Sequence, residues 1–324
     1  MLQVNQAQDI INKRISDLCY PASPERLYEP IRYVLRLGGK RIRPVFTLLA
    51  CNLFSDDVIL AVEPAIGLEI FHNFTLLHDD IMDRADMRRG NLTVHKKWSD
   101  NVAILSGDAM QIDAYRHVNQ VPPDKLKDVL DLFSQTAMEV CEGQQYDMDF
   151  ELREKVTLPE YIEMIRLKTA VLLACSLKTG ALIGGAASGD ASLLYDFGIN
   201  LGLAFQLQDD FLDVYGDAHK FGKNIGGDIL CNKKTFLLIS ALNSADTQTK
   251  ADLNKWITAV NPNPQEKIKV VTEIYNRLNI SGICQEEITR FHQQALVALR
   301  ALNCPDHKKT ILLDYANRLI NRES

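Results

Sequence analysis

Helical periodicity runs through almost the whole chain and limits the folds that it can form. Apolar residues recur at the three- and four-residue intervals of an amphipathic helix, as in Ile162, Ile165, Leu172 and Leu173. No convincing strand alternation interrupts this pattern in the sequence. The sequence therefore predicts an all-α protein, a compact bundle of about ten or more helices.

Local signals predict where several helices begin and end. Thr157 and Glu160 have the spacing of a capping box around Pro159, which suits an early helical position. Asp190 is predicted to cap the next long helix. Breaks are expected at Gly38-Gly39, at Pro122-Pro123, from Gly184 to Gly189 and from Gly216 to Gly227.

The bulk composition is that of one globular protein. Of its 324 residues, 46% are hydrophobic and 24% are charged, which is ample for a core. Because no shift in composition divides the chain, we predict a single domain over residues 1–324. The formal net charge of -6 argues against a nucleic-acid surface, which normally shows as clustered Lys and Arg. Any phosphate must therefore be bound by a small local group of residues and not by an extended basic surface.

Cysteine usage and the amino terminus predict the compartment. The seven cysteines form no CxxC pair and no metal-finger spacing, so they are interpreted as reduced packing residues. The first residues are polar and acidic where a signal peptide needs a basic start, and no apolar stretch is expected to reach membrane-spanning length. We predict a cytoplasmic protein without a membrane span.

Three carboxylates end a mostly apolar helical segment that begins near Phe71. Asp79 and Asp83 are four residues apart and share one helix face, with Asp80 beside them. Like charges at this spacing destabilise a helix by roughly a few tenths of a kcal/mol unless a cation lies between them. One such cluster is equally typical of a solvated helix end.

A second cluster repeats the arrangement. Asp209, Asp210 and Asp213 also follow an apolar helical run. Helix carboxyl ends already carry partial negative charge, so two such clusters indicate compensation by hard divalent cations with carboxylate and phosphate ligands. Cations lie downstream of both clusters, as a metal–phosphate site requires, at Arg88-Arg89, at Lys223 and at Lys233-Lys234.

These motifs give the chain a specific resemblance. It resembles the trans-isoprenyl diphosphate synthases, strongly over about residues 30 to 240, because the family's motifs occur in the family's order. The matching segments are Gly38-Gly39-Lys40-Arg41-Ile42-Arg43-Pro44, the two aspartate clusters, Arg88-Arg89-Gly90, Ser106-Gly107-Asp108, Gly143-Gln144 with Asp147, and Lys168-Thr169.

The resemblance implies a fold, substrates and residue roles. It implies a helical bundle around a central apolar cavity, isopentenyl diphosphate and an allylic diphosphate (dimethylallyl, geranyl or farnesyl) as substrates, about three Mg²⁺ ions (Mn²⁺ as an alternative), and a homodimer. The diphosphate of isopentenyl diphosphate is assigned to Lys40, Arg43, His72 and Arg89. The metal residues are Asp79, Asp80, Asp83, Asp209, Asp210 and Asp213. The allylic diphosphate is assigned to Arg88, Lys168, Lys223 and Lys233, with Thr169 and Gln206 facing the reacting carbons.

In two cases, one of two residues of the same type is assigned to the site and the other is not. His72 precedes Asp79 by seven residues, nearly two helical turns, and so lies on the aspartate face, whereas His78 is expected to be structural. Lys233 is preferred to Lys234 for its spacing from the preceding Gly227.

Three residues before the first cluster are assigned to product length. Phe74 and Phe71 precede Asp79 by five and eight residues, and the family's short-chain members have an aromatic at the fifth position. The small Thr75 stands where the fifteen-carbon makers have a second aromatic. The resemblance therefore favours geranylgeranyl diphosphate over farnesyl diphosphate as the product.

Three other functions would account for part of the sequence pattern. A class I terpene cyclase or head-to-head synthase shares the aspartate–metal chemistry but has no use for GGKRIRP and Arg88-Arg89. A silent subunit of a heteromeric synthase is expected to have lost one cluster. A metal phosphohydrolase using His72, His78 and Asp79 leaves the second cluster without a function.

Overall fold

The computed structural model describes residues 1–216 and 225–321. The first helices are α1 (Val4–Ser16), α2 (Glu25–Arg36), α3 (Ile42–Phe54), α4 (Val62–Met82), α5 (Val94–Lys97), α6 (Asp100–Val118) and α7 (Leu126–Leu152). They are followed by α8 (Leu158–Ile165), α9 (Val171–Gly184), α10 (Ser188–Tyr215), α11 (Gly227–Leu230), α12 (Phe236–Ser244), α13 (Thr247–Ile257), α14 (Pro264–Arg277), α15 (Ile280–Arg300) and α16 (Asp306–Ile320). The all-α class is confirmed.

Two short segments depart from regular α-helix. A 3₁₀ turn, Ile59–Ala61, precedes α4, and a π-helical turn, Arg166–Ala170, joins α8 to α9. Single π turns inside longer helices are frequent at functional sites. This one contains two of the residues assigned from the sequence, Lys168 and Thr169.

A small antiparallel hairpin corrects the expectation that no strand is present. Strand β1 (Met87–Arg88) pairs with β2 (Asn91–Leu92). Arg89 (φ 51°) and Gly90 (φ 74°) form the connection. Two successive positive φ values are typical of the tight hairpin turns that match strand twist. The turn therefore fixes the Arg88-Arg89-Gly90 motif just after α4.

The chain divides into two compact units, each discontinuous in sequence. Unit 1 comprises Met1–Gln135, Cys175–Tyr195 and Leu302–Leu312. Unit 2 comprises Thr136–Ala174, Asp196–Ala301 and Leu313–Ser324. Four of the divisions fall inside α7, α9, α10 and α16, and the fifth falls between α15 and α16. The single domain over residues 1–324 stays a prediction.

The core of unit 1 is built around α4. Ile66, Ile70 and Phe71 on this helix are completely buried. Burying each such side chain contributes about 1.5–3 kcal/mol. The helix is therefore held firmly up to its carboxyl end, where the first aspartate cluster lies.

In unit 2, two glycines bring α10 close to the segment before it. A Cβ added at Gly198 would lie 2.4 Å from Ala174 Cα, and one added at Gly202 would lie 2.6 Å from Ala170 Cα. No side chain fits these gaps, so the two backbones approach closely. This contact places the carboxyl-terminal half of α10 beside the π turn.

In the described part of the chain, two helical stretches are apolar enough to be compared with membrane-spanning helices. Ile59–Met82 and Leu158–Gly184 meet the length and composition needed to cross a bilayer. The expectation that no apolar stretch reaches that length is therefore wrong. However, 67% of the most apolar window of each is buried inside the protein, as in the core helices of soluble proteins. They are weak evidence for a span.

Helix boundaries test the capping predictions. Thr157 Oγ1 accepts from Glu160 N, and the Glu160 carboxylate accepts from Thr157 N at 2.8 Å, which confirms the capping box. The prediction for Asp190 is wrong. The helix α10 begins at Ser188, and Asp190 Oδ1 instead accepts from the backbone N–H of Asn303 at 2.8 Å.

Candidate active site

The first aspartate cluster lies at the end of α4 in unit 1. Asp79 and Asp80 lie in the last turn, and Asp83 directly follows the helix. Asp80 is buried, and both of its carboxylate oxygens accept from Arg88 Nε, at 2.8 and 2.9 Å. Burial raises the pKa of Asp80, and the charge of Arg88 opposes that rise. Asp80 therefore ties the hairpin to α4.

The ion pair with Asp80 also defines the surroundings of Arg88. Its guanidinium also lies 3.9 Å from Asp79 Oδ2. Arg88 is held among the carboxylates of the cluster rather than projecting alone into solvent. The assignment of Arg88 to the allylic diphosphate stays a prediction, and such a role requires a diphosphate to compete with Asp80.

A second group in unit 1 gathers positive charge around His72. Arg43 Nη1 lies 3.1 Å from His72 Nε2. Burial lowers the pKa of His72 well below its usual value, and the neighbouring arginines, Arg43 first, add to the effect. His72 is therefore a neutral imidazole near pH 7, whose Nε2 can accept from Arg43. Burial also lowers the pKa of Arg43 to about 10.

The loop of Gly38 to Arg41 is fixed by contacts on both sides. Arg89 Nη1 donates to Gly38 O, which joins the hairpin to this loop. Arg41 Nη1 donates to Glu69 Oε1 at 2.7 Å in a buried ion pair, and Arg41 Nη2 donates to Leu35 O at 2.7 Å. Removing one partner of a buried ion pair is strongly destabilising. The sequence motif contains Arg41, but its structural role was not predicted.

The residues assigned to product length lie on α4 above the cluster. Phe71 and Phe74 are buried, with ring centroids 5.4 Å apart, and Phe71 also contacts Phe133 at 5.2 Å. Thr75 is half-buried, and its Oγ1 donates to His72 O at 2.8 Å. The Phe74 ring meets the His78 ring edge to face at 4.8 Å. Aromatic packing of this kind makes the segment stiff.

The second aspartate cluster lies on α10 in unit 2, with Asp210 buried at its centre. Tyr161 OH donates to Asp210 Oδ2, and Gln206 Nε2 donates to Asp210 Oδ1 at 3.1 Å. Burial raises the pKa of Asp210 to about 7, and the nearby carboxylate of Asp228 adds to the rise. Tyr161 was missed in the sequence, where no local signal connects it with a residue 49 positions away.

The π turn adds two assigned residues to this group. Thr169 Oγ1 donates to Gln206 Oε1 at 3.2 Å. A continuous hydrogen-bond chain therefore runs from Thr169 through Gln206 to Asp210. Lys168 Nζ donates to Asp147 Oδ2 at 2.6 Å, so Asp147 of the Gly143-Gln144 motif holds that lysine.

The turn after the second cluster is connected to it through Asp213. Asp213 Oδ2 accepts from Asp228 N at 2.9 Å, and the backbone N–H of Gly226 donates to Asp213 O at 2.6 Å. Lys233 follows, and its N–H donates to Asp228 O at 2.9 Å. Lys223, also assigned to the allylic diphosphate, lies outside the described residues.

The two clusters share one arrangement with consequences for metal binding. The middle aspartate of each is held by the protein, Asp80 by Arg88 and Asp210 by Tyr161. The outer aspartates supply the carboxylate oxygens that Mg²⁺ prefers. Among residues 1–216 and 225–321, no three His, Cys, Asp or Glu side chains gather closely enough to hold a metal alone. The residues fit Mg²⁺, which keeps few protein ligands and takes the rest from phosphate.

Comparison with known proteins agrees with this geometry. The sequence model described as Polyprenyl synthetase matches residues 24–276. The geranylgeranyl diphosphate synthase of Methanosarcina mazei is 36% identical over 323 residues, covering 99% of this chain and 97% of that protein. A crystal structure titled geranylgeranyl pyrophosphate synthase has 42% identity, a TM-score of 0.95 and full coverage of both chains. The synthetase from Pyrococcus horikoshii Ot3 has 33% identity and a TM-score of 0.92, and the alignment covers 99% of this chain and 97% of that one.

An all-α fold with two aspartate-rich helix ends, matched over this length, defines an isoprenyl diphosphate synthase of the trans type. The chain belongs to the polyprenyl synthetase family. The enzyme class predicted from the order of the motifs is confirmed, and the match extends beyond residue 240, where the strong resemblance in sequence motifs ends.

Proposed function

We propose that this enzyme condenses isopentenyl diphosphate with an allylic diphosphate and releases geranylgeranyl diphosphate. The observation that carries the proposal is the near full-length match to a protein named geranylgeranyl diphosphate synthase. The pair of buried aromatics Phe71 and Phe74, next to the small Thr75, supports the same product. Farnesyl diphosphate is the alternative product.

The cationic group of unit 1 would bind isopentenyl diphosphate. Arg43 and Arg89 carry charge, and the neutral His72 can turn its second ring nitrogen, Nδ1, to a phosphate oxygen as a donor. Lys40 is exposed at the edge of this group. A cyclase has no second diphosphate to bind and needs no second cationic group. This group therefore favours a condensing enzyme over a cyclase.

Asp79, Asp83 and Asp209 would be the principal ligands of Mg²⁺, with three ions as the proposed number. Bound Mg²⁺ acts as a Lewis acid that neutralises charge on the leaving diphosphate. Lys168, Lys233 and Lys223 would bind the remaining phosphate oxygens. The ion pair between Lys168 and Asp147 supports the choice of Lys168 for this role.

The reaction needs no protein nucleophile. The allylic carbon–oxygen bond breaks and its electron pair leaves with the diphosphate. The double bond of isopentenyl diphosphate then forms the new carbon–carbon bond, and a proton lost to the departed diphosphate restores an alkene. Thr169 and Gln206, fixed by their hydrogen bond, would face the reacting carbons, where oriented dipoles stabilise positive charge.

We propose that the protein forms a homodimer through the exposed surface of α6. Leu105 and Ile112, seven residues apart on one helix face, are 59% and 64% exposed. Apolar side chains presented together in this way commonly mark a protein interface. A cytoplasmic location stays a prediction.

Product analysis tests the proposed function. We expect purified protein with both diphosphates and Mg²⁺ to yield a twenty-carbon prenyl diphosphate, identified by chromatography after dephosphorylation. Excess chelator should abolish turnover, and added Mg²⁺ or Mn²⁺ should restore it, because diphosphate among uncompensated carboxylates is strongly repelled. A cyclic product would indicate a cyclase, and no product from any allylic primer would indicate a silent subunit.

Replacing Lys40 tests the isopentenyl diphosphate assignment. In Lys40→Ala we expect the KM for isopentenyl diphosphate to rise by roughly ten- to a hundredfold, the effect of losing one charged hydrogen bond, with kcat nearly retained. The exposed Lys13 in the same unit is the matched control as Lys13→Ala. An unchanged KM in Lys40→Ala would remove this residue from the binding group.

A further inference from the structure

A short turn connects the second aspartate cluster with Lys233. It consists of Gly226, α11 and the residues up to Lys233. Its amino end is held by Asp213, which accepts from Asp228 N at 2.9 Å. Its carboxyl end includes Asn232 in the left-handed region, at φ 55°. A helix of four residues is not stable alone, so other contacts must hold this turn.

A buried lysine on α14 holds the carboxyl end of the turn. Only 2% of Lys267 is exposed, and its Nζ donates to Leu230 O at 3.2 Å and to Asn232 Oδ1 at 2.6 Å. Its pKa is lowered by burial, and none of the carboxylates in the described parts of the chain forms an ion pair with it.

Such a lysine is costly for stability. A buried ammonium without a counter-charge loses much of its hydration, and an apolar side chain of similar size is usually the more stable choice. Residues that break a packing rule in this way are often found where function requires a defined geometry. The geometry here is that of the turn, because both acceptors of Lys267 belong to it.

The next residue of α14 braces the other end of the turn. A Cβ added at Gly226, which has φ 83°, would lie 2.8 Å from Ile268 Cδ1. Ile268 thus packs directly on the backbone that donates to Asp213 O. Lys233 and Lys267 also line one small cavity with Asp228 and Tyr275. Two successive residues of α14 therefore contact the turn near both of its ends.

We propose that Lys267 is a positioning residue for the allylic diphosphate. It fixes the backbone from which Asp228 and Lys233 project, so that the Lys233 ammonium is presented to the diphosphate in one geometry. The inference rests on the proposed function, and it gives a role to a helix beyond the sequence motifs. Preorganised cations stabilise a leaving diphosphate better than mobile ones.

The central test is Lys267→Met, which keeps the length of the side chain and removes its donors. We expect the KM for the allylic diphosphate to rise about tenfold while the KM for isopentenyl diphosphate stays unchanged. The melting temperature should stay the same or rise, since a buried charge is replaced by an apolar group. Lys269→Met, at an exposed position of the same helix, is the control.

Two milder variants keep the test decisive if Lys267→Met does not fold. Asn232→Gly suits the left-handed backbone and removes one acceptor, so we expect a smaller rise in the same KM. Lys267→Gln retains a donor without charge and should recover part of the loss. An allylic KM equal to wild type in Asn232→Gly and in every folded Lys267 variant would overturn the proposal, as would equal rises for both substrates.

Failure of this inference is separable from failure of the proposed function. If the wild-type enzyme makes no prenyl diphosphate from the two substrates, the proposed function is wrong. If the wild type is active and the variants differ only in melting temperature, Lys267 is a structural residue and the proposed function stands.

Discussion

Replacing Asp79 or Asp209 by alanine is expected to lower kcat by at least about 10²–10³. The loss of a single preorganised oxyanion donor already has an effect of that size, and a metal ligand acts on the same developing charge. Each aspartate is an outer residue of its cluster, whereas the middle residues are held by Arg88 and Tyr161. The measurement is single-turnover product formation at saturating Mg²⁺, followed by a Mg²⁺ titration of each variant.

The middle and outer positions of the second cluster should respond differently. Asp210→Asn retains the shape of a residue whose pKa lies at about 7 and which is bonded to Tyr161 and Gln206. Its kcat should therefore fall less than that of Asp209→Asn. Asp196→Ala, at an exposed position earlier on α10, serves as the control. Near-normal turnover in Asp209→Ala would show that the second cluster is structural and that the proposed mechanism is wrong.

The parts of the protein that were predictable from the sequence depend on short-range signals. The capping box of Thr157 and Glu160 is a contact between residues three apart, and the helix fixes it. Each aspartate cluster is likewise a local pattern, in which a spacing of four places two side chains on one face. Asp190 shows the limit of this reasoning, because a carboxylate suited to a cap bonds instead to Asn303, 113 residues away.

The contacts that orient the clusters were not predictable, because they join distant residues. Tyr161 reaches Asp210 across 49 residues, and Arg41 reaches Glu69 across 28. The π turn was not predictable either. Apolar spacing through Ile165 and Leu172 predicts a helix but does not reveal one extra residue in a turn. That extra residue shifts the helix faces on either side of Thr169, so the direction of its hydroxyl follows only from the structure.

Shortening the aromatic side chains before the first cluster is expected to lengthen the product. Phe74 and Phe71 lie about 7.5 and 12 Å along α4 from Asp79, at about 1.5 Å per residue. A prenyl chain that grows away from the diphosphate would meet these buried rings, which support each other at 5.4 Å. Phe74→Ala should therefore shift the product beyond twenty carbons, and adding Phe71→Ala should extend it further.

The measurement is the chain-length distribution of the products, resolved by chromatography with the same primer for all variants. A buried Phe→Ala change costs about 3–5 kcal/mol, so the assays should be run well below the melting temperature, with Phe74→Leu as a milder variant. Phe46→Leu, at a fully buried position on α3, tests whether core loosening alone changes product length. Since the carboxylates and the cationic group remain intact, the first condensation should proceed in every variant. If both alanine variants and the double variant give the wild-type length, another helix limits the chain, and the assignment of Phe71, Phe74 and Thr75 to product length is wrong.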